Sequence, residues 1–426
     1  MRKLRTAGAA AATAAALALT VAACSSDEGS GDTGTSTQGA TTIDVWLMRD
    51  SISDDFQKEF VAGFEKAHPD VTVDVQVQEW DGIGQKIISA LASDDAPDVI
   101  EVGNTQVAQY GASGGLADLT DKVSDLGGSS WIPGLAEPGN IDGKQYGIPY
   151  YAANRVVLYN KDLFTKAGIT TPPKTRDEWL KDTKALDTGG NQGIYLAGQN
   201  WYTYAGFLWD EGGDLATNDG DTWKGGLDTP AAAAAMDFYG TLQKLGKGPQ
   251  DADEQHPPQI DVFATGKVAQ MIATPGAATQ VTAANAAMAD KIGFFPIPGK
   301  TADQPGAVFT GGSDLVIPTA AAHPDQAYTF IKELTGDEWQ KKLAVAMSYV
   351  PNKTTLAGVL ADDPGAAAMA VGAANGHATP NSPNWAAVEA NNPVKNYMTQ
   401  VLTGADPAAA GTTASDAITK TLNASS

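Results

Sequence analysis

The first short apolar run beyond residue 42 is Ile43-Asp44-Val45-Trp46-Leu47, which predicts a buried strand. Ser53 then precedes Asp54 and Asp55, and Phe56, Phe60 and Phe64 recur at i, i+4 and i+8. That spacing predicts a capped helix with one buried face, stopped at His68-Pro69. Val71, Val73, Val75 and Val77 alternate with polar residues, the period of a strand, and Trp80 sits just past its end. Ile83, Ile87 and Leu91 predict a second helix, and Ala96-Pro97-Asp98 leads into the strand Val99-Ile100-Glu101-Val102. The alternation predicts a parallel, right-handed βαβ sheet. Ligands of such sheets sit beyond the carboxyl ends of the strands. Three loops are thereby singled out: Met48 to Ser51, Trp80 to Gly82, and Gly103 to Gln106.

The stretch Lys144 to Gly168 combines a Gly/Pro turn, two tyrosines, the apolar run Val156-Val157-Leu158-Tyr159 and a short helix opened by Asn160-Lys161-Asp162. We read it as the place where the backbone leaves one lobe and becomes a central strand of another. Tyr150 to Asn154 would then line a hinge bordering a ligand cleft. Further on, Thr175 to Glu178 has capping-box spacing before Trp179. A dense aromatic patch runs from Asn200-Trp201-Tyr202 through Trp209, and Pro230 opens an alanine-rich helix. Val268 to Ile272 and Thr310 to Ile317 read as strands, and Ile292 to Gly299 as a second stiff crossing. His323-Pro324 is read as a third. Phe330, Ile331, Leu334, Leu343 and Met347 are candidate core, and Asn384-Trp385 opens another helix.

At 426 residues the chain is long enough for two or three domains. Acidic residues outnumber basic ones 50 to 28, for a net charge of −22, and no Lys/Arg cluster follows the first five residues. A nucleic-acid partner, which requires a basic footprint, is disfavoured. Arg2, Lys3 and Arg5, the apolar stretch Ala7 to Ala23 and the only cysteine, Cys24, have the layout of a secretory signal. The expectation is a signal peptide over residues 1–23 and a Ser/Gly/Thr-rich tether over 24–42.

Catalytic chemistry lacks a motif. Of the histidines, His68, His256 and His323 precede prolines and only His377 does not; no pair has metal-ligand spacing. Neither a Gly-x-Ser-x-Gly elbow nor a phosphate-binding glycine fingerprint is present. No metal and no cofactor is expected. Asp94-Asp95 and Asp362-Asp363 read as solvated turns. What is present is aromatic and amide chemistry at strand ends. A sugar ring offers a C–H face that stacks on an indole or phenol and a hydroxyl rim that suits amides. Trp80, Asn104, Asn200, Trp201, Tyr202 and Trp385 are of those types, whereas Trp46 and Trp179 lie in apolar periodic runs and read as core.

Three segments carry a family resemblance: the lipobox-like Val21-Ala22-Ala23-Cys24, the block APDVIEVGN at Ala96 to Asn104, and VVLYNKDLFTKAGI at Val156 to Ile169. From Ile43 almost to its end the chain resembles the family 1 extracellular solute-binding proteins of ABC sugar importers. GNTQ at Gly103, PKTRDEW at Pro173, GQNWY at Gly198, EGGDL at Glu211 and NWAAVE at Asn384 are similar to actinobacterial lipoproteins that bind chito-oligosaccharides, chiefly N,N'-diacetylchitobiose. One departure is Thr274-Pro275-Gly276-Ala277, where such relatives often place a Trp.

The resemblance implies an α/β, two-lobed periplasmic-binding-protein fold, each lobe a βαβ sheet flanked by helices, with crossings near Tyr150, Pro298 and Ala321. The expected N-terminal lobe is 43–149 plus 299–321, and the C-terminal lobe 150–298 plus 322–426. The expected ligand set is Asp50, Trp80, Asn104, Gln106, Tyr150, Asn154, Asn200, Trp201, Tyr202, Gly312, Ser313 and Trp385. The implied protein is a monomer and not an enzyme. A diacylated Cys24 holds it at the outer face of the cell membrane, and it captures an N-acetylglucosamine-containing sugar by lobe closure and delivers it to the permease. The alternatives are a different sugar of the cellobiose, maltose or trehalose type, a secreted glycosidase, and a receptor for a peptide or polyamine.

Overall fold

The structure is a computed structural model that describes residues 41–49, 51–80, 82–220 and 222–424. The expected signal peptide, Cys24 and Asp50 lie outside the described residues. Thr41 and Thr42, expected in the tether, already belong to the first strand.

Strands β1 (Thr41–Met48), β2 (Val71–Gln78) and β3 (Val99–Gly103) pair in parallel in the order β3-β1-β2, as the alternating elements require. Ser53 caps the helix Asp54–Ala67 by accepting from Phe56 N, and Phe56, Phe60 and Phe64 are its buried residues. Three more strands complete the sheet: β4 (Ile148–Ala153), β8 (Gly311–Val316) and β9 (Val350–Pro351), in the order β9-β4-β8-β3-β1-β2. β8 runs antiparallel to both β3 and β4.

The second sheet has β5 (Val156–Asn160) at its centre between β6 (Gln270–Ala273) and β7 (Ile292–Phe295), with both neighbours antiparallel to it. Parallel bridges Gln192↔Val268 and Tyr195↔Met271 flank β6. Asn160 caps the following helix by accepting from Asp162 N and Leu163 N, and the capping box at Thr175 and Glu178 is formed. Trp179 is fully buried, its indole N–H donating to Gln270 Oε1 at 2.7 Å. The helix Trp201–Asp210 packs against Pro230–Gln243 in the same core.

The paths between the sheets depart from the sequence expectation in two places. β4 and β5 are separated only by Asn154 and Arg155, so the first crossing falls just after Tyr150. The chain does not leave the second lobe at Pro298. Gly306 N donates to Ile297 O, folding 297–306 back on itself, and Ala307, Val308 and Phe309 pack into the second core; the passage lies at Thr310, before β8. Nor does it pass at Ala321, which bridges Ala96 in the first lobe. Helices Pro324–Leu334 and Asp337–Met347 bury Phe330, Ile331, Leu334 and Leu343 in the first core, where Phe60 meets Phe330 and Trp339 edge-on at 5.1 and 5.0 Å. Residues 324–351, placed with the C-terminal lobe by sequence, therefore pack on the N-terminal one, because their apolar stripe matches the phenylalanine face of the first helix.

Candidate functional site

The carboxyl ends of β1–β3 and the Thr310 passage face the aromatic helix Trp201–Asp210 and the helix Trp385–Asn391. Between them lies a cavity of about 380 Å³. The first lobe supplies Trp80, Asn104, Gln106, Tyr151, Gly312, Ser313 and Tyr349; the second supplies Arg155, Tyr202, Thr274, Phe309 and Glu389. A second cavity of about 360 Å³ shares Arg155, Tyr202 and Thr274 and continues along Trp201, Asp253, Glu254, Gln255, Gln259, Gln280 and Lys395.

Aromatic faces dominate the junction. Tyr202 stacks on Phe309 at 4.4 Å and on Trp201 at 3.9 Å between centroids, and the Arg155 guanidinium lies 4.7 Å over its ring. Opposite, Tyr151 stacks on Tyr349 at 4.3 Å with 9° between planes. Trp80 is the exposed platform at 44% exposure, its indole N–H donating to Arg49 O at 3.0 Å.

The charges within reach are mostly matched. Arg155 pairs with Glu254 at 3.1 Å, and Lys395 with Asp253 at the same distance. Burial raises the Asp253 carboxyl, but hydrogen bonds from His256, Lys395 and Gln255 N outweigh it and hold the group at about 2. Burial pushes the Glu389 carboxyl above its ordinary range, countered by the Thr105 hydroxyl. Trp385 Nε1 reaches toward that carboxyl without completing a hydrogen bond. Among the described residues no cluster of His, Cys, Asp and Glu could hold a metal ion.

Of the residues singled out by sequence, Trp80, Asn104, Gln106, Gly312 and Ser313 meet on the first-lobe side of this space, and Trp201 and Tyr202 on the second. Asn104 Nδ2 donates to Thr310 O at 2.9 Å, which fixes the passage between lobes beside the cavity. Gly312 adopts φ +146°, and a Cβ there would stand 2.1 Å from Tyr151 O.

Four positions lie off both walls. Tyr150 is fully buried in the first-lobe core, its hydroxyl unpartnered, and its neighbour Tyr151 faces the cavity. Two adjacent tyrosines on a strand give no parity signal from which to choose. Asn154 is buried, its Nδ2 donating to Arg155 O at 3.4 Å, and a Cβ on Gly372 would come within 2.9 Å of that nitrogen. Asn200 is the cap of the helix Trp201–Asp210, accepting from Thr203 N. Trp385 is 1% exposed inside the second-lobe core.

Sequence reasoning missed Arg155, Tyr151, Tyr349, Phe309, Thr274 and Glu389. Arg155 and Glu389 fall inside or beside motifs already singled out, and their charge in otherwise neutral segments was the available signal. Tyr349 precedes a two-residue strand and had none.

A family model described as bacterial extracellular solute-binding protein matches residues 49–341. The chain is 40% identical over 385 residues to the diacetylchitobiose binding protein DasA of Streptomyces coelicolor, covering 90% of each. It is 26% identical over 319 residues to a mannitol-binding protein of Pseudomonas aeruginosa, covering 72% of each. Among solved structures it matches the GacH receptor of Streptomyces glaucescens, known unliganded and with acarbose, at TM-score 0.78 and 26% identity over 91% of this chain and 100% of that one. It matches the sugar-binding protein MalE of Xanthomonas citri at TM-score 0.80 and 24% identity over 90% and 97%, a likeness of fold. With two-thirds of its length matched by the family model and a relative 40% identical across nine-tenths of it, the chain belongs to the bacterial extracellular solute-binding protein family.

Proposed function

We propose that this chain is the extracytoplasmic sugar receptor of an ABC importer, and that its ligand is N,N'-diacetylchitobiose or a related N-acetylglucosamine-containing sugar. The observation that carries the reading is the cavity walled from both lobes by Trp80, Tyr151, Tyr349, Tyr202 and Phe309, with Asn104, Gln106 and Ser313 in the same lining. Flat aromatic faces suit the C–H faces of pyranose rings, and amides and hydroxyls suit their rims. The diacetylchitobiose-binding relative supports the same ligand class.

Capture works by apposition of the two walls, which shifts an open-closed equilibrium toward the form that a membrane permease recognises. The chain acts as a monomer, held at the outer face of the membrane by a lipid on Cys24. Among the described residues no helix is long and apolar enough to cross a membrane. Binding and release involve no covalent step, and the relatives and the fold are those of substrate-binding proteins.

Isothermal titration with diacetylchitobiose, cellobiose, maltose and trehalose tests the ligand. Heat with diacetylchitobiose at the lowest concentration is expected; no heat with any of the four would remove the sugar assignment. Cys24→Ala is expected to move the protein from the membrane to the soluble fraction.

A further inference from the structure

Glu101 lies on β3 with its side chain fully buried, and its carboxyl gathers two parts of the cleft. Oε2 accepts from Met48 N, at the end of β1, at 2.8 Å and lies 2.6 Å from Ser51 Oγ in the loop that follows. Oε1 accepts from the Tyr151 hydroxyl at 3.4 Å, and that hydroxyl accepts from Ser313 Oγ at 3.3 Å. Tyr151 and Ser313 line the cavity. The loop reaches it through Arg49, whose carbonyl holds the Trp80 indole.

Counting hydrogens exposes a conflict at Ser51. Its hydroxyl has one hydrogen but two acceptors in range, Met48 O at 2.7 Å and Glu101 Oε2 at 2.6 Å. With an ionised carboxylate, one of those oxygens faces a lone pair. A proton on Oε2 resolves the count: Glu101 donates to Ser51, Ser51 donates to Met48 O, and Met48 N–H still reaches Oε2.

We propose that Glu101 is a positioning residue of the cleft, whose proton sets Met48 and Ser51, and through Arg49 the Trp80 platform, in the fully bonded arrangement that receives the sugar. The sugar itself rests on the function proposed above.

The surroundings support titration in the physiological range. Burial raises the carboxyl to about 7, against the lowering effect of its bonds from Met48, Ser51 and Tyr151 and of the nearby Ser313 hydroxyl. Among the described residues the titratable groups around it are Tyr150, Tyr151 and Tyr349. Asp314 on β8 pairs in register with Val102 rather than Glu101, which places it on the opposite face of the sheet. In the loop, Arg49 is engaged with Glu79 at 2.9 Å; on the adjacent helix Asp54 and Asp55 are exposed. Among the described residues no Lys or Arg forms an ion pair with Glu101.

The test has a ligand-free arm and a ligand arm on the full chain. Tryptophan fluorescence without sugar is expected to titrate with a midpoint near 7, and the transition is expected to vanish in Glu101→Gln and in Trp80→Phe. Ser51→Ala, which removes the shared hydroxyl, is expected to move the midpoint. Affinity for diacetylchitobiose is expected to fall several-fold from about pH 6 to about pH 8 in the wild type and to stay level in Glu101→Gln. A flat fluorescence profile in the wild type, or one unaffected by Glu101→Gln, overturns the proposal. Titrating fluorescence with an affinity that ignores pH overturns the positioning role. Absence of binding by every sugar defeats the sugar reading alone, because the fluorescence arm still decides whether Glu101 governs Trp80.

Discussion

Thr105 Oγ1 donates to Glu389 Oε2 at 3.0 Å, a side-chain bond that ties the loop after β3 in one lobe to the helix Trp385–Asn391 in the other. The acceptor is a carboxyl in a buried setting, where such a bond outweighs one in water. Thr105→Val keeps the shape and removes the donor. Affinity for the sugar is expected to fall by about 1.5 kcal/mol, roughly tenfold. Calorimetry checks this, and an unchanged Kd would show that the bond is absent from the liganded form.

Trp80 and Trp201 are both cavity indoles, but they differ in burial: 44% against 5% exposed. Trp80→Ala is expected to weaken sugar binding by about 1 to 3 kcal/mol through lost stacking while leaving the melting temperature nearly unchanged. Trp201→Ala removes a core ring and is expected to lower stability by about 3 kcal/mol or more besides. Thermal melts beside binding curves separate the two.

Gly312 is held in a backbone region that side chains rarely adopt, and its missing Cβ leaves room for the Tyr151 carbonyl 2.1 Å from where that atom would stand. Gly312→Ala must push β8 away from β4 in the cavity wall. Both stability and affinity are expected to drop, the former by about 2 kcal/mol or more. A fully stable, fully binding variant would contradict the pairing described for β4 and β8.

Asp253 carries the acid-side prediction. Its folded value, about 2, lies below the ordinary 3.8, so its contribution to stability is complete above about pH 4 and is lost as pH falls toward 2. Asp253→Asn is expected to melt lower than the wild type at neutral pH, the gap closing on acidification across that window. A gap independent of pH would mean that the bonds from His256 and Lys395 add nothing to folding.

The strands and capped helices of both lobes were legible because their signals are local: the valine alternation of β2, the phenylalanines at every fourth position, and Thr175 with Glu178. Membership of the helices after His323 was not, since an apolar stripe carries no label for the sheet that will cover it; only the edge-on rings of Phe60, Phe330 and Trp339 settle that. In the cavity wall, Trp80 and Asn104 were readable as lining residues from their place after strands. Tyr150 and Trp385 were the right chemistry in the wrong orientation, turned inward to core. Arg155 and Glu389 are distant in sequence, and both come to the Tyr202 ring only once the second lobe has folded.

The link between β4 and β5 is two residues long, and the second, Arg155, also lines both cavities and carries the ion pair to Glu254. On the function proposed above, pivot and ligand contact therefore fall at one position. Substitution of Arg155 is expected to change ligand affinity and the balance between spread and shut lobes together, whereas Gln106 and Gln280, wall residues outside the link, are expected to change affinity alone.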